Sequence, residues 1–156
     1  TQFDVSDIED AIAEEQIFLD YQPKIDLMTG DLVGVEALAR WRRPMWGVIE
    51  PDAFIPIIAD SDMMKPFSAG ILRAAAREAT RWIGEGHDIT VAVNIGPRLL
   101  DDLDLPDRFQ SVVDAAGLSP RSIVVEITEV GLVADVPRAM EVMARLRLKE
   151  IGRAHV

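Results

Sequence analysis

Three short apolar stretches of this chain each carry one oxygen-bearing side chain that an ordinary buried strand would not hold. LVGVEALARW (Leu32 to Trp41) contains Glu36, DITVAVNIG (Asp88 to Gly96) contains Asn94, and SIVVEITEV (Ser122 to Val130) contains Glu126. All three read as strands, being short, rich in β-branched residues and bounded by turn residues. Strand alternation turns Val33 and Val35 one way and Gly34 and Glu36 the other. It likewise separates Val91, Val93 and Ile95 from Ala92 and Asn94, and Ile123, Val125 and Ile127 from Val124, Glu126 and Thr128. Each strand thus offers one oxygen donor, two to three residues before its C-terminal end, on a face of small or polar neighbours. A single buried carboxylate is costly, and two repel each other unless a cation sits between them. Two carboxylates and an amide carbonyl form an all-oxygen set suited to Mg²⁺ or Mn²⁺, with Ca²⁺ a further candidate. Such a set suits Zn²⁺ poorly. Taken singly, each residue has an ordinary explanation as an outward strand acid, a strand-end turn residue or a solvated charge. Recurrence at one depth on three successive strands is what argues for a shared site.

Arg40 follows Glu36 by four residues, on the same face of the same strand and about 13 Å further along. That places it at the mouth of such a site, where a planar guanidinium suits a phosphate group; a surface ion pair is the plainer reading. His87, next to Gly86, has no partner at ligand spacing and reads as an exposed loop residue.

The elements that would position these residues can be followed along the chain. Ser6-Asp7-Ile8-Glu9 has the spacing of a capping box, and Ile8 and Ile12 share a face of a first helix. FLDYQPKIDL predicts a strand over about 18–26, closed by the turn Met28-Thr29-Gly30-Asp31. Pro51-Asp52 opens a short helix. Pro66 opens a longer one, with Phe67, Ile71, Ala74, Ala75, Ala79 and Trp82 at helical spacing, ending at Gly84 or Gly86. LPDRFQSVVDAAG predicts a helix capped by Gly117, and Asp135 caps a last helix over about 136–149. After the first hairpin-like pair the order is strand, helix, strand, helix, strand, helix. That order predicts a parallel sheet with crossover helices, and such sheets keep chemistry at the C-terminal strand ends.

Composition narrows the classes further. The 156 residues are 49% hydrophobic, enough for one globular core. No apolar run reaches spanning length, and no charged start leads into an apolar signal segment. The net charge of −11 disfavours nucleic acid and anionic membranes as partners. A bound metal ion is the usual way to reverse such a field for an anionic ligand. Cys is absent, so disulfides and thiolate metal sites are excluded, which suits a cytoplasmic protein.

EALARW (Glu36 to Trp41), YQP (Tyr21 to Pro23), AVNIG (Ala92 to Gly96) and EITE (Glu126 to Glu129), in this order and spacing, resemble the EAL-domain family of cyclic di-GMP phosphodiesterases. The resemblance runs from about Phe18 to Lys149. It implies a TIM-like (β/α) barrel whose first strand is antiparallel, binding two Mg²⁺ or Mn²⁺ ions. The implied reaction is hydrolysis of cyclic di-GMP to pGpG in bacterial second-messenger signalling. Residue by residue, Glu36, Asn94 and Glu126 match the family's metal ligands, Arg40 its substrate-phosphate contact, and Gln22 and Pro44 positions near the bound nucleotide. Arg43 replaces the usual His before Pro44, and Gly96 the usual Ser after the metal Asn. The later Asp-Asp-Phe-Gly-Thr-Gly motif and the Lys, Gln and Glu that follow it have no counterpart here. No catalytic base is therefore assigned, and the base is expected in that later half. The resemblance also leaves room for an upstream sensor or GGDEF domain and for a homodimer.

A TIM barrel takes ~250 residues, so about four of eight strands are expected here. Residues 1–149 read as the N-terminal part of an EAL domain. EIGRAHV (Glu150 to Val156) resembles the translation of a common sequencing-adapter start and is expected to be a non-native tail. Three functions stay open on the sequence: an EAL phosphodiesterase represented by its N-terminal part, a degenerate EAL module that binds cyclic di-GMP or a protein without cutting, and an unrelated metal-dependent barrel.

Overall fold

The computed structural model describes residues 3–127 and 135–151. Helix α1 (Val5–Ala13) leads into strands β1 (Ile17–Ile25) and β2 (Leu32–Arg43) and the short β3 (Gly47–Ile49). Helices α2 (Pro51–Ala59) and α3 (Met64–Gly84), strand β4 (Thr90–Ile95), helix α4 (Leu105–Ala115), strand β5 (Ile123–Ile127) and helix α5 (Val136–Leu148) complete the order. The strands form one sheet in the order β1-β2-β4-β5, with β3 pairing β2 off that path. β1 and β3 run antiparallel to β2, whereas β4 and β5 continue the sheet in parallel. Among the described residues the sheet is not closed. This is the incomplete TIM-like barrel with an antiparallel first strand that the resemblance implies. The expected strand over Ser122 to Val130 is seen to Ile127; its remaining residues, Glu129 among them, lie outside the described ones, as does most of the expected tail.

Local chemistry accounts for the element ends. The capping box at α1 is built by Asp4 and Asp7, two residues earlier than Ser6 and Glu9. The Asp7 backbone N–H donates to Asp4 Oδ1 at 3.1 Å, and the Asp4 N–H donates to Asp7 Oδ2 at 2.9 Å. Asp caps as well as Ser does, and this frame buries Ile8 and Ala11. Helix α3 begins at Met64 rather than Pro66, because a proline is tolerated within the first turn. Gly117 follows the last residues of α4 with φ +70°, the left-handed closure expected of a glycine there. Helix α5 closes in a Schellman pattern: Glu150 N–H donates to Arg147 O and Ile151 N–H to Leu146 O. Ile151 is fully buried against the helix. That burial follows from the closure, which packs an apolar residue at this position whatever the origin of the segment.

The sheet divides its residues cleanly between two faces. One face carries Leu19, Tyr21, Val35, Ala37, Trp41, Val91, Val93, Ile95, Ile123, Val125 and Ile127, all packed in or against the single apolar core under the helices. An edge-to-face aromatic chain runs through it, Phe3 to Trp41 at 5.0 Å, Trp41 to Phe54 at 5.9 Å and Phe54 to Phe67 at 6.3 Å. Tyr21 packs edge-on against Trp82 of α3 at 4.9 Å, and burial there pushes its hydroxyl up to about 12. Such burial contributes about 1.5–3 kcal/mol per large side chain. It explains why the packed part of this face is apolar. No helix among the described residues is long and apolar enough to cross a membrane.

Gly34 lets β2 and β4 approach where the parallel pairing begins. It pairs with Thr90, and a Cβ at residue 34 would lie 2.7 Å from Thr90 Oγ1 and 2.9 Å from the Thr90 carbonyl oxygen. The second contact is backbone, so the strain cannot be relieved by a rotamer change. Gly34→Ala is expected to destabilise the chain by about 1–3 kcal/mol, and Thr90→Ala should rescue little of that. Urea denaturation of the single and double variants checks both.

Candidate functional site

Register places the polar side chains together. Gln22 of β1 lies opposite Glu36 of β2, and Glu36 lies opposite Ala92 of β4. Asn94, two residues on, lies opposite Glu126 of β5. With a period of two, Gln22, Lys24, Gly34, Glu36, Ala92, Asn94, Val124 and Glu126 all share the face turned away from the helical core. Glu36, Asn94 and Glu126 therefore converge on one side, as the sequence predicts. Each is half-buried, and the neighbouring Gly34 and Ala92 on the same face are buried and small.

Glu36 does not lie near the end of its strand, since β2 runs on to Arg43. It lies near the end of the parallel stretch, because pairing with β4 stops at Ala37 while β2 continues against β1 and β3. The extension is an antiparallel hairpin that carries the chain past the parallel edge. On the parallel sheet Asn94 and Glu126 stand level, and Glu36, level with Ala92, lies two residues lower than the common depth expected of the three.

The donors are already engaged with one another. Asn94 Nδ2 donates to Glu36 Oε1 at 3.0 Å. Lys24 Nζ donates to Glu126 Oε1 at 2.5 Å, across the full width of the sheet from β1 to β5. In a flat sheet three strand spacings come to about 14 Å, so this contact requires the sheet to curl toward the polar face. Glu126 thus already holds a cation, in the form of an ammonium. Among the described residues no three His, Cys, Asp or Glu side chains gather into a metal cluster. The set is instead two carboxylates and one amide. These donors fit a hard divalent cation in kind but fall short of the six oxygens that Mg²⁺ takes. To ligate one, the Asn94 amide must turn its oxygen toward the site, exchanging the bond to Glu36 for one to the ion.

Arg40 lies on the same face, further along β2 and beyond the parallel pairing. Its Nε stands 3.4 Å from Asp20 Oδ2 and 3.4 Å from Glu50 Oε2, and its Nη1 donates to the Ala39 carbonyl at 3.1 Å. The guanidinium is held by two exposed carboxylates and has N–H groups to spare. Pro44 sits exposed in the β2–β3 turn, where Met45 takes a positive φ of 66°. Gln22 is exposed beside Glu36, and His87 is an exposed loop residue. Sequence reasoning missed Lys24, Asp20 and Glu50. Lys24 was recoverable: it lies two residues from Gln22, so it must share that face once the hairpin register is set. Glu50 was not, because it enters through the β2–β3 hairpin, whose second strand of three residues gives no periodic signal.

Arg43, which stands where the resemblance would put His, is tied to the opposite side. Its Nη2 donates to Asp7 Oδ1 at 2.8 Å, and its guanidinium lies 5.0 to 5.8 Å from the ring centres of Trp46, Trp41 and Phe3. It joins α1 to the base of the β2–β3 turn and contributes nothing to the polar face.

Comparison with known proteins bears directly on this arrangement. The sequence model of the EAL domain matches residues 5–153. An uncharacterised protein of Mycobacterium tuberculosis is 35% identical over 143 residues, covering 90% of this chain and 23% of that protein. The cyclic di-GMP phosphodiesterase PA2567 of Pseudomonas aeruginosa is 32% identical over 139 residues, covering 89% of this chain and 23% of that protein. Among solved structures, the MucR phosphodiesterase of Pseudomonas aeruginosa in complex with cyclic di-GMP superposes with a TM-score of 0.89 at 28% identity. That superposition covers 96% of this chain and 61% of the solved one. The chain spans less than a quarter of the length of these curated relatives.

Asn94→Asp tests whether the Glu36–Asn94 pair is a cation site. It sets a carboxylate against Glu36 in place of a donor. In chelator the variant is expected to lose about 1–3 kcal/mol of stability, the cost of a buried hydrogen bond turned into an unpaired group. Millimolar Mn²⁺ should restore most of it, because an ion that binds the folded state raises its stability. Denaturation curves with and without Mn²⁺ decide the matter, and a loss that Mn²⁺ leaves untouched would count against the site.

Proposed function

This chain belongs to the EAL-domain family, and on that premise we propose that it is the N-terminal part of a metal-dependent phosphodiesterase domain that opens cyclic di-GMP to linear pGpG in the cytoplasm. The observation that carries this reading is the convergence of Glu36, Asn94 and Glu126 on one face of the parallel sheet, in adjacent registers. In this reading the two carboxylates and the Asn94 amide oxygen hold Mg²⁺ or Mn²⁺. Such ions, when bound, lower the pKa of a coordinated water and neutralise charge on the phosphodiester.

The chain's own residues prepare the rest of the site. Arg40 takes a phosphate oxygen of the substrate, its fork held in place by Asp20 and Glu50. Gln22 lies on the site's face beside Glu36 and Pro44 at the exposed turn beyond Arg40, positions that flank a nucleotide lying along β2. Gly34 and Ala92 keep the floor low enough for a large planar ligand to approach. None of these residues is a candidate for the base that removes a proton from the attacking water, so that group is assigned to the remainder of the domain. One observation favours a second reading, a module that binds without cutting: Lys24 and Asn94 leave both carboxylates partnered without any metal.

In the protein that carries this chain, Glu36→Ala is expected to abolish Mn²⁺-dependent production of pGpG while leaving the domain folded. Arg40→Ala should mainly raise the substrate KM, by roughly 1–3 kcal/mol of lost charge-assisted hydrogen bonding. Chromatographic assay of cyclic di-GMP turnover reads both, and full activity in the Glu36 variant would remove it from the metal site. The 156-residue chain assayed alone is expected to leave cyclic di-GMP intact, since three ligands on one side of a site cannot fix two ions about 3.5–4 Å apart. Metal-dependent pGpG from that chain would show that these residues suffice.

A further inference from the structure

We propose that Lys24 sets the divalent-cation affinity of the site: its ammonium is the resident counter-ion of Glu126 and must give that carboxylate up when a metal ion is ligated. The inference rests on Glu126 being a ligand, as proposed above, and assigns Lys24 a role that the ligand set does not include. Lys24 Nζ lies 2.5 Å from Glu126 Oε1. The pair joins the first and last strands of the sheet and crosses directly over the polar face. Beneath it lie Gly34, the register partner of Lys24, and Ala92, the register partner of Glu36.

Geometry makes ammonium and metal rivals. At 2.5 Å the ammonium occupies an oxygen of Glu126 at contact distance, and a divalent ion ligated by that oxygen would bring like charges together. The lysine is able to leave, because its side chain is 40% exposed and carries a flexible four-carbon stem. Glu126 is less free, being 22% exposed and mounted on β5 in register with Asn94. The exchange is therefore one-sided: Lys24 swings out to water, and Glu126 stays. Until then Lys24 keeps Glu126 aimed at the site and offsets the repulsion between Glu126 and Glu36 across it. A full shell of protein oxygens competes well with one ammonium, whereas three ligands alone compete poorly. Lys24 thus keeps a partly assembled site from holding adventitious metal.

Mn²⁺ alone is the probe, with binding to the full chain followed by the loss of its free-ion paramagnetic resonance signal. Lys24→Met removes the charge and keeps the length. It is expected to tighten Mn²⁺ binding about fivefold, the equivalent of ~1 kcal/mol for a partly exposed ion pair. Lys24→Arg keeps the charge and should bind Mn²⁺ as the natural chain does. Glu126→Gln should weaken binding in either background. In chelator the Lys24→Met chain should melt lower than the natural one, and added Mn²⁺ should raise its melting temperature by more. Equal affinity in the natural and Lys24→Met chains, with Glu126→Gln still weakening it, overturns the role of Lys24 and leaves the metal site standing. Glu126→Gln binding Mn²⁺ as tightly as the natural chain, or no binding by any variant, overturns the ligand reading and this inference with it. Tightening by Lys24→Arg as large as that by Lys24→Met would trace the effect to packing and likewise overturn it.

Discussion

Two carboxylates on one curled sheet face impose the constraint that the rest of this structure answers. Glu36 and Glu126 cannot be covered by apolar side chains without desolvating their charges, and they cannot be left facing each other without a positive or donating group between them. The sheet meets the first demand by keeping the rows beside the two carboxylates small or polar and sending most of its large apolar residues to the opposite face, under the helices. It meets the second with an amide on the neighbouring strand and an ammonium from the far edge. Ala92, small and beside Glu36 in register, suits the same demand, whereas Gly34 answers the close approach of Thr90.

The helical face bears the stability that the polar face forgoes. Trp41 illustrates the division. It is on β2, five residues after Glu36, and is buried between Phe3 and Phe54, with its indole N–H donating to Gln16 Oε1 at 3.0 Å. One strand thus carries both an anchor of the core and a principal donor of the site. Any shift of β2 that relaxed one would displace the other, so rigidity in the core fixes geometry at the site.

Alternation made most of this legible before any coordinates. Val91-Ala92-Val93-Asn94-Ile95 and Ile123-Val124-Val125-Glu126-Ile127 show their faces by residue type alone, and the parallel order follows from the helices between them. What sequence could not show was pairing across long distances. The bond from Lys24 to Glu126 joins residues 102 apart in sequence, and no local pattern encodes how tightly a sheet curls. Glu50 was hidden for a related reason, as was β3, because a strand of three residues has no period to read. The helix starts were displaced by two residues at α1, where Asp4 caps as well as Ser6 would, and at α3, where Pro66 is tolerated inside the first turn. The match of the EAL domain to residues 5–153 confirms the family that four short motifs suggest. It does not by itself assign the side chains their roles.

The antiparallel first strand also shapes the order in which this fold can assemble. β1 and β2 are joined by a short turn and can zip as a local hairpin, with little chain entropy to lose before contacts form. Glu36 and Asn94 are 58 residues apart, and their strands meet only after α2 and α3 have formed and packed. A chain emerging from the ribosome therefore displays Gln22 and Glu36 in register well before Asn94 is available to the Glu36 carboxylate. During that interval the hairpin's free β2 edge is exposed, with Arg40 on β2 itself and Lys24 on β1 as positive charges on its polar face. Positive side chains near an unpaired edge disfavour strand-to-strand association, so charges that serve the polar face of the finished fold also suit its open edge while β4 is still absent.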